Sequence, residues 1–117
     1  MKYFSTFEFD SPDSPGSGMK MDLGFLKMLD KAREVADIPF VITSGYRTPQ
    51  YNDRVGGVDG SAHTRGFAAD IACRDSVSRY NIIKSLQVAG FTRIGIASTF
   101  IHVDNDPDKP QEVIWVY

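Results

Sequence analysis

The sequence predicts a single small α+β domain with a mainly antiparallel sheet and two main helices. In two segments apolar residues recur at spacings of three and four, which is typical of amphipathic helices. Short segments rich in β-branched and aromatic residues lie between and after these helices. The order helix, strand, strand, helix and then further strands favours an α+β domain.

The first helix is predicted from Met21 onwards, where apolar residues form one face. These residues are Met21, Phe25, Met28, Leu29, Ala32 and Val35. Asp22 lies in the predicted first turn, where the helix dipole stabilises a carboxylate. Residues 1–20 form an N-terminal arm and loop. The arm carries three aromatic residues that we expect to pack against the body of the protein: Phe4, Phe7 and Phe9.

The first two strands are predicted on either side of a polar loop. Pro39 ends the first helix, and residues 39–46 (PFVITSGY) form the first strand. The loop spans Arg47–Ser61, where Pro49 favours the first turn of a short helix. Phe67–Cys73 forms the second strand.

The second helix is capped by Asp75 or Ser76 and stops at Gly90. Its expected buried face is Val77, Tyr80, Ile83, Leu86 and Ala89. Three short strands follow it, in the segments RIGIA, FIHVD and EVIWVY. We expect Trp115 and Tyr117 to close the core beneath the last strand, with sugar stacking as the alternative.

Length and composition limit the possible classes of protein. With 117 residues, 42% hydrophobic and 24% charged, the chain has the balance of one globular domain spanning residues 1–117. A net charge of −2 gives no electrostatic reason to expect a nucleic-acid or membrane partner. No segment has the roughly 20 apolar residues of a membrane span. The lone Cys73 excludes an internal disulfide, and we expect a monomer.

The two histidines of the chain each have an aspartate nearby. Asp70 follows His63 by seven residues, and Asp104 follows His102 by two. Imidazole and carboxylate are zinc ligands, and a catalytic zinc takes three protein ligands. The pattern therefore indicates a candidate zinc site. A hydrogen-bonded structural histidine is the alternative for either ring, and a solvated strand-end carboxylate is the alternative for Asp70.

Strand alternation supports this set of candidate ligands. Asp70 and Ala72 share one face of their strand, whereas Cys73 lies on the other face and is expected to be a core thiol. In the later strand His102 and Asp104 share a face in the same way. Small residues around Asp70 leave room for an ion.

Three blocks of the sequence carry most of its candidate site residues: SGYRTPQYN, GGVDGSAHTRGFAADI and FIHVD. Together they resemble the signature of the zinc-dependent peptidases of the D-alanyl-D-alanine carboxypeptidase (M15) group. They are most similar to small phage- and bacterium-borne members related to peptidoglycan endopeptidases. The family pattern is Ser-x-His-x-x-Gly-x-Ala-x-Asp, followed by a strand with a further histidine. The matching residues are Ser61, His63, Gly66, Ala68, Asp70 and His102.

The resemblance implies a zinc peptidase that cleaves peptidoglycan stem or cross-bridge peptides at a bond involving D-alanine. It implies that His63, Asp70 and His102 ligate one zinc ion. It also implies that Arg47 binds a carboxylate or carbonyl of the substrate, for which a guanidinium fork is suited. The alternative for Arg47 is a surface arginine paired with an aspartate. Ser61 is expected to support a ligand.

One position departs from the family pattern. Relatives carry an acid three residues before the last histidine, as the general base for the attacking water, and this chain has Thr99 there. Either another carboxylate acts as the catalytic base, with Asp104 the nearest candidate, or the metal by itself lowers the pKa of the water enough. The alternative role of Asp104 is to orient a ligand or Arg47. A zinc-holding module without catalysis, such as part of a phage particle, is the alternative function.

The N-terminal segment MKYFSTFEFD lacks the apolar region of a signal peptide. We therefore expect cytoplasmic synthesis and action on the cell wall after lysis, holin release or delivery by a particle.

Overall fold

The chain folds into five β-strands and three α-helices, which a computed structural model describes for all of residues 1–117. The α-helices are α1 (Leu23–Ala36), α2 (Pro49–Arg54) and α3 (Ser76–Val88). The strands are β1 (Ile42–Ser44), β2 (Ala68–Ala72), β3 (Arg93–Ile96), β4 (Phe100–Asp104) and β5 (Val113–Val116). Short 3-10 helices span Thr6–Phe9, Ser17–Lys20 and Ala62–Arg65.

The strands form one sheet in the order β1-β2-β4-β3-β5. Three of its four pairings are antiparallel, and β5 alone runs parallel to its neighbour β3. The predicted α+β fold with a mainly antiparallel sheet is therefore confirmed. The connection of residues 105–112 carries the chain past β3 to the edge of the sheet.

Helices α1 and α3 pack against each other, and their apolar residues share one core with one face of the sheet. From α1 this core receives Phe25, Leu26, Leu29, Ala32 and Ala36. The helix starts later than predicted, because the Asp22 carboxylate accepts a hydrogen bond from the backbone N–H of Phe25 and caps it. Val35, predicted on the buried face, is exposed.

The predicted buried face of α3 is wrong at its start. Val77 and Tyr80 are 82% and 72% exposed, whereas Ile82, Ser85 and Leu86 are buried. The predicted row advanced by three residues at each step. Since three residues turn an α-helix by about 300°, such a row drifts by about 60° per step and leaves any one face within two turns.

The first strand is shorter than predicted because its flanks pair elsewhere. The backbone N–H of Tyr46 donates to the carbonyl of Phe9, so residues beyond Ser44 pair with the N-terminal arm. In that arm Phe4 and Phe9 are buried with ring centroids 5.4 Å apart, as predicted, but Phe7 is exposed.

No helix combines the length and the apolar character needed to cross a membrane.

Gly66 fixes the segment that carries His63 against the N-terminal arm. It ends the 3-10 helix Ala62–Arg65 with φ +79°, and its carbonyl accepts a hydrogen bond from the backbone N–H of Asp22 (3.0 Å). A Cβ atom at this position would lie 2.5 Å from the carbonyl oxygen of Lys20. Both the backbone conformation and the space available therefore require glycine here.

We predict that Gly66→Ala destabilises the protein far more than Gly60→Ala. Gly60 also has a left-handed backbone (φ +70°), but nothing lies within 4 Å of its would-be Cβ atom. Alanine at position 60 should therefore lower the free energy of unfolding by about 1–2 kcal/mol, the cost of a left-handed backbone at a residue with a Cβ atom. Alanine at position 66 should cost roughly 1–3 kcal/mol more, as overpacking does. Urea unfolding of both variants measures the difference, and equal losses would contradict this account.

Candidate metal centre

One row of paired residues crosses all five strands on the face of the sheet opposite the helices. The register places Ser44 beside Asp70, Asp70 beside His102, His102 beside Gly95, and Gly95 beside Trp115. On the central strands β2, β4 and β3 the neighbours of these residues point the other way into the core, as Ile71, Val103 and Ile94 do. The row brings Asp70 and His102 together although 32 residues separate them.

His63 approaches this row from the 3-10 helix Ala62–Arg65. The Ser61 hydroxyl accepts a hydrogen bond from the backbone N–H of His63 (3.2 Å) and caps this helix. The His63 ring lies with its Nδ1 atom 2.7 Å from the Gly45 carbonyl oxygen. Its Nε2 atom lies 3.4 Å from Oδ1 of Asp70. Ser61 thus supports the predicted ligand His63 through its backbone.

His102 is held between two carboxylates. Its Nδ1 atom lies 2.9 Å from Oδ1 of Asp70, and its Nε2 atom lies 2.7 Å from Oδ2 of Asp104. His63, Asp70 and His102 are all buried, and their ligand atoms all lie within 4.8 Å of one another. The structure therefore brings together the three residues predicted as metal ligands.

The outer hydrogen bonds fix which nitrogen of each ring is free for a metal. A carbonyl oxygen only accepts, so Nδ1 of His63 carries a proton towards Gly45 and leaves the lone pair on Nε2. In the same way the Asp104 carboxylate favours the proton on Nε2 of His102 and the lone pair on Nδ1. Both lone pairs then face the Asp70 carboxylate. Two imidazole nitrogens and one carboxylate are ligands that suit a zinc ion. The second nitrogen of each ring is hydrogen-bonded to an acceptor, as is usual for histidines that bind a metal.

The electrostatics of the cluster favour a cation at its centre. Burial by itself would raise the pKa of the Asp70 carboxyl, but the hydrogen bonds and charges of His102 and His63 outweigh burial and hold that pKa well below its usual range. For His102, burial lowers the pKa, whereas the carboxylates of Asp104 and Asp70 raise it above its usual value. Asp70 therefore remains ionised and attracts positive charge, either protons on the rings or a metal ion.

Asp104 is fully engaged by its neighbours. Its Oδ1 atom accepts hydrogen bonds from Nε of Arg93 (2.7 Å) and from the backbone N–H of Asp106 (3.1 Å), while Oδ2 faces His102. Burial raises the pKa of Asp104, but His102 and Arg93 outweigh it, and the pKa lies below its usual value. These contacts are those of a carboxylate that orients a ligand.

Arg47 lies beside the metal cluster with its guanidinium held on three sides. Its Nε donates to the Ser44 hydroxyl (3.0 Å) and one terminal nitrogen donates to Oδ1 of Asn52 (3.2 Å). The other terminal nitrogen lies 3.5 Å from Oδ2 of Asp70. Arg47 therefore faces the site and pairs with the candidate ligand Asp70, and with a side chain that is 16% exposed it is not a surface arginine. Ser44 and Asn52 thus hold the guanidinium in place.

The cluster opens into a cleft of about 400 Å³, large enough for a small ligand. Val55 and Val58 line it from the loop that follows α2. Aromatic side chains line it from β4 and from the end of the chain: Phe100, Trp115 and Tyr117. Three cations, Arg47, Arg93 and Lys109, and two carboxylates, Asp70 and Asp104, also line it. The cleft therefore has an excess of positive charge before any metal binds.

Some features of the cleft were not predicted from the sequence. Arg93 was missed because strand alternation says which residues share a face but not which face meets the site. Lys109 was missed because it lies in the connection between β4 and β5, where no periodic pattern indicates its position. Trp115 and Tyr117 do not close the core, and the prediction that they do is wrong. Thr99 is exposed in the turn before β4 and does not line the cleft.

The family model described as Peptidase M15 matches residues 9–104, which include every residue of the metal cluster. The chain belongs to the peptidase M15 family. The resemblance seen in the three sequence blocks is thus confirmed. Comparison with curated proteins gave no match. Membership of the M15 family and the His63–Asp70–His102 cluster together support a metal-dependent peptidase.

We predict that the protein binds about one zinc ion per chain, as a three-ligand site does. His63→Ala should lose most of this zinc. Asp104→Asn should weaken zinc affinity by roughly ten- to a hundredfold, because the His102 ring loses its charged acceptor. Elemental analysis and competition with a chelator measure content and affinity.

Cys73→Ala serves as the control for these variants, since Cys73 is a buried thiol outside the cluster. It should keep full zinc content. Full zinc content in His63→Ala, or loss of zinc in Cys73→Ala, would show that the ion binds elsewhere.

Proposed function

We propose that this protein is a zinc-dependent hydrolase of peptide bonds in the stem or cross-bridge peptides of peptidoglycan, and that the bond involves D-alanine. The observation that carries the proposal is the His63–Asp70–His102 cluster, with both outer ring nitrogens hydrogen-bonded, beside Arg47 in an open cleft. The whole chain acts as one catalytic domain on the cell wall, reached after lysis, through a holin or by delivery on a particle.

His63, Asp70 and His102 would hold the zinc ion, through Nε2, a carboxylate oxygen and Nδ1 respectively. Bound zinc supplies a Lewis acid that polarises a carbonyl and lowers the pKa of water to about 7. The hydrogen bond from His63 to Gly45 and that from His102 to Asp104 keep each ring in the tautomer and orientation that this requires.

Arg47 is the proposed anchor for the substrate. Its contacts with Ser44, Asn52 and Asp70 use three of its five N–H donors, so donors remain for an oxygen of the substrate. A guanidinium held in this way can bind a carboxylate at two points or stabilise the negative charge that develops on the scissile carbonyl. The excess of cations in the cleft supports an anionic peptide as substrate.

Asp104 is proposed to act through His102 rather than as the general base. Its oxygens accept from Arg93, His102 and the backbone, which leaves it poorly placed to take a proton from water. No carboxylate side chain other than those of Asp70 and Asp104 lines the cleft. The cleft therefore has no free acidic side chain to act as general base. In relatives that base is the acid at the position of Thr99.

That same observation supports the second candidate function, a zinc-holding module that does not cleave its ligand. Such a module would keep the metal cluster and the cleft and would serve in binding or in the structure of a particle. The two functions differ in one measurable property, which is turnover by the zinc-loaded protein.

We predict that zinc-loaded wild-type protein cleaves a peptide bond next to D-alanine in a panel of muropeptides, with products identified by mass spectrometry. Arg47→Lys should keep its zinc but lose about a hundred- to a thousandfold in kcat/KM, because lysine cannot reproduce the planar fork at a developing charge. Arg54→Lys is the matched control, since Arg54 is an exposed arginine on the nearby helix α2 and pairs with Asp13. It should retain wild-type activity.

Absence of cleavage by the zinc-loaded wild type would favour the binding module. Thr99→Glu should leave the activity unchanged, because Thr99 is exposed and does not line the cleft. Failure of the zinc-loaded wild type to cleave any member of the panel would contradict the proposed peptidase.

A further inference from the structure

Three aromatic side chains form a continuous surface at one end of the cleft. We call Phe100, Trp115 and Tyr117 the aromatic platform. The ring centroids of Phe100 and Tyr117 lie 5.4 Å apart, and those of Trp115 and Tyr117 lie 6.5 Å apart. The rings are tilted by 50° and 65° to one another, so that they present a contoured surface instead of one flat stack.

The aromatic platform is not part of the hydrophobic core. The core lies on the opposite face of the sheet and includes none of the three rings. Tyr117 is 69% exposed. Large aromatic side chains left against solvent in a cleft contribute little to folding, and they offer area to a ligand.

Gly95 shows that the fold makes room for the Trp115 ring. A Cβ atom at position 95 would lie 2.6 Å from Nε1 of Trp115. The backbone of Gly95 does not have a positive φ, so its conformation is open to any residue. The indole is the reason for glycine at this position, because it lies across the strand at the place where a side chain would stand.

The aromatic platform is continuous with the metal centre. The rings of His102 and Trp115 have centroids 5.5 Å apart, and both line the same cleft. The Arg93 guanidinium lies 5.0 Å from the Trp115 ring and is fixed by Asp104 and the carbonyl of Pro110. A substrate whose reacting bond lies at the metal centre can therefore reach the aromatic platform within one or two residues or sugar units.

We propose that the aromatic platform binds a pyranose ring of an N-acetylated glycan, so that the protein selects peptides still attached to their glycan strand. The substrate class rests on the proposed function. A pyranose has apolar C–H faces that pack on aromatic rings and a rim of hydroxyl and amide groups. Those polar groups can accept hydrogen bonds from the remaining N–H donors of Arg93 and from the Lys109 ammonium, both of which line the cleft.

Titration with the tetramer of N-acetylglucosamine tests the proposal directly, because this ligand has no peptide and cannot be cleaved by a peptidase. Trp115 is the single tryptophan of the chain, so its fluorescence reports on the aromatic platform without any labelling. We expect the tetramer to change its emission and to give a binding heat in calorimetry. Tyr117→Ala should weaken binding by about two- to tenfold, the range of one aromatic contact.

Val116→Ala is the matched control. Val116 is 77% exposed and its neighbour Tyr117 projects to the other face of the strand. The control should bind the tetramer as wild type does. In the enzymatic assay, wild type should cleave disaccharide-linked peptides faster than the same peptides without sugar, and Tyr117→Ala should reduce this preference.

The outcomes separate this proposal from the proposed peptidase. No change in Trp115 emission and no binding heat would overturn the glycan site, whether or not the protein cleaves muropeptides. Equal weakening by Tyr117→Ala and Val116→Ala would also overturn it. Binding of the tetramer without any peptide cleavage would support the aromatic platform and contradict the peptidase.

Discussion

A buried carboxylate between two imidazole rings is the interaction on which the rest of the structure depends. Asp70 faces Nε2 of His63 and Nδ1 of His102 in the interior, where an unpaired charge is costly. The arrangement is stable only if the outer nitrogen of each ring also finds an acceptor. Gly45 supplies one acceptor through its carbonyl and Asp104 supplies the other through its carboxylate.

These requirements explain why several distant segments meet at one point. His63 is held by a 3-10 helix that ends at Gly66 and docks on the N-terminal arm. Asp104 is in turn fixed by Arg93, which is held by the carbonyl of Pro110. The connection after β4 thus contributes to the orientation of His102. The metal cluster is therefore supported both at His63 and at His102. Arg47 is placed beside it by hydrogen bonds to Ser44 and Asn52.

The sequence predicted the features that depend on local pattern. Helix α1 and the alternation around Asp70 and His102 follow from spacing and residue type over short stretches. The choice of His63, Asp70 and His102 as the three candidate ligands follows from the resemblance of the sequence blocks to the M15 family. It did not predict features that depend on long-range register. Trp115 was placed in the core because alternation along β5 cannot say which face is covered, and that face is settled only by the pairing of β5 with β3. The role of Asp104 likewise depends on Arg93, which the register brings beside it.

A crystal structure of the zinc-loaded protein, with anomalous scattering recorded at the zinc edge, tests the central claim most directly. The account predicts one strong peak coordinated by Nε2 of His63, Nδ1 of His102 and a carboxylate oxygen of Asp70. The bonds from His63 to Gly45 and from His102 to Asp104 should be intact. A peak coordinated through Nε2 of His102 or by Asp104, or a peak outside the cluster, would contradict it.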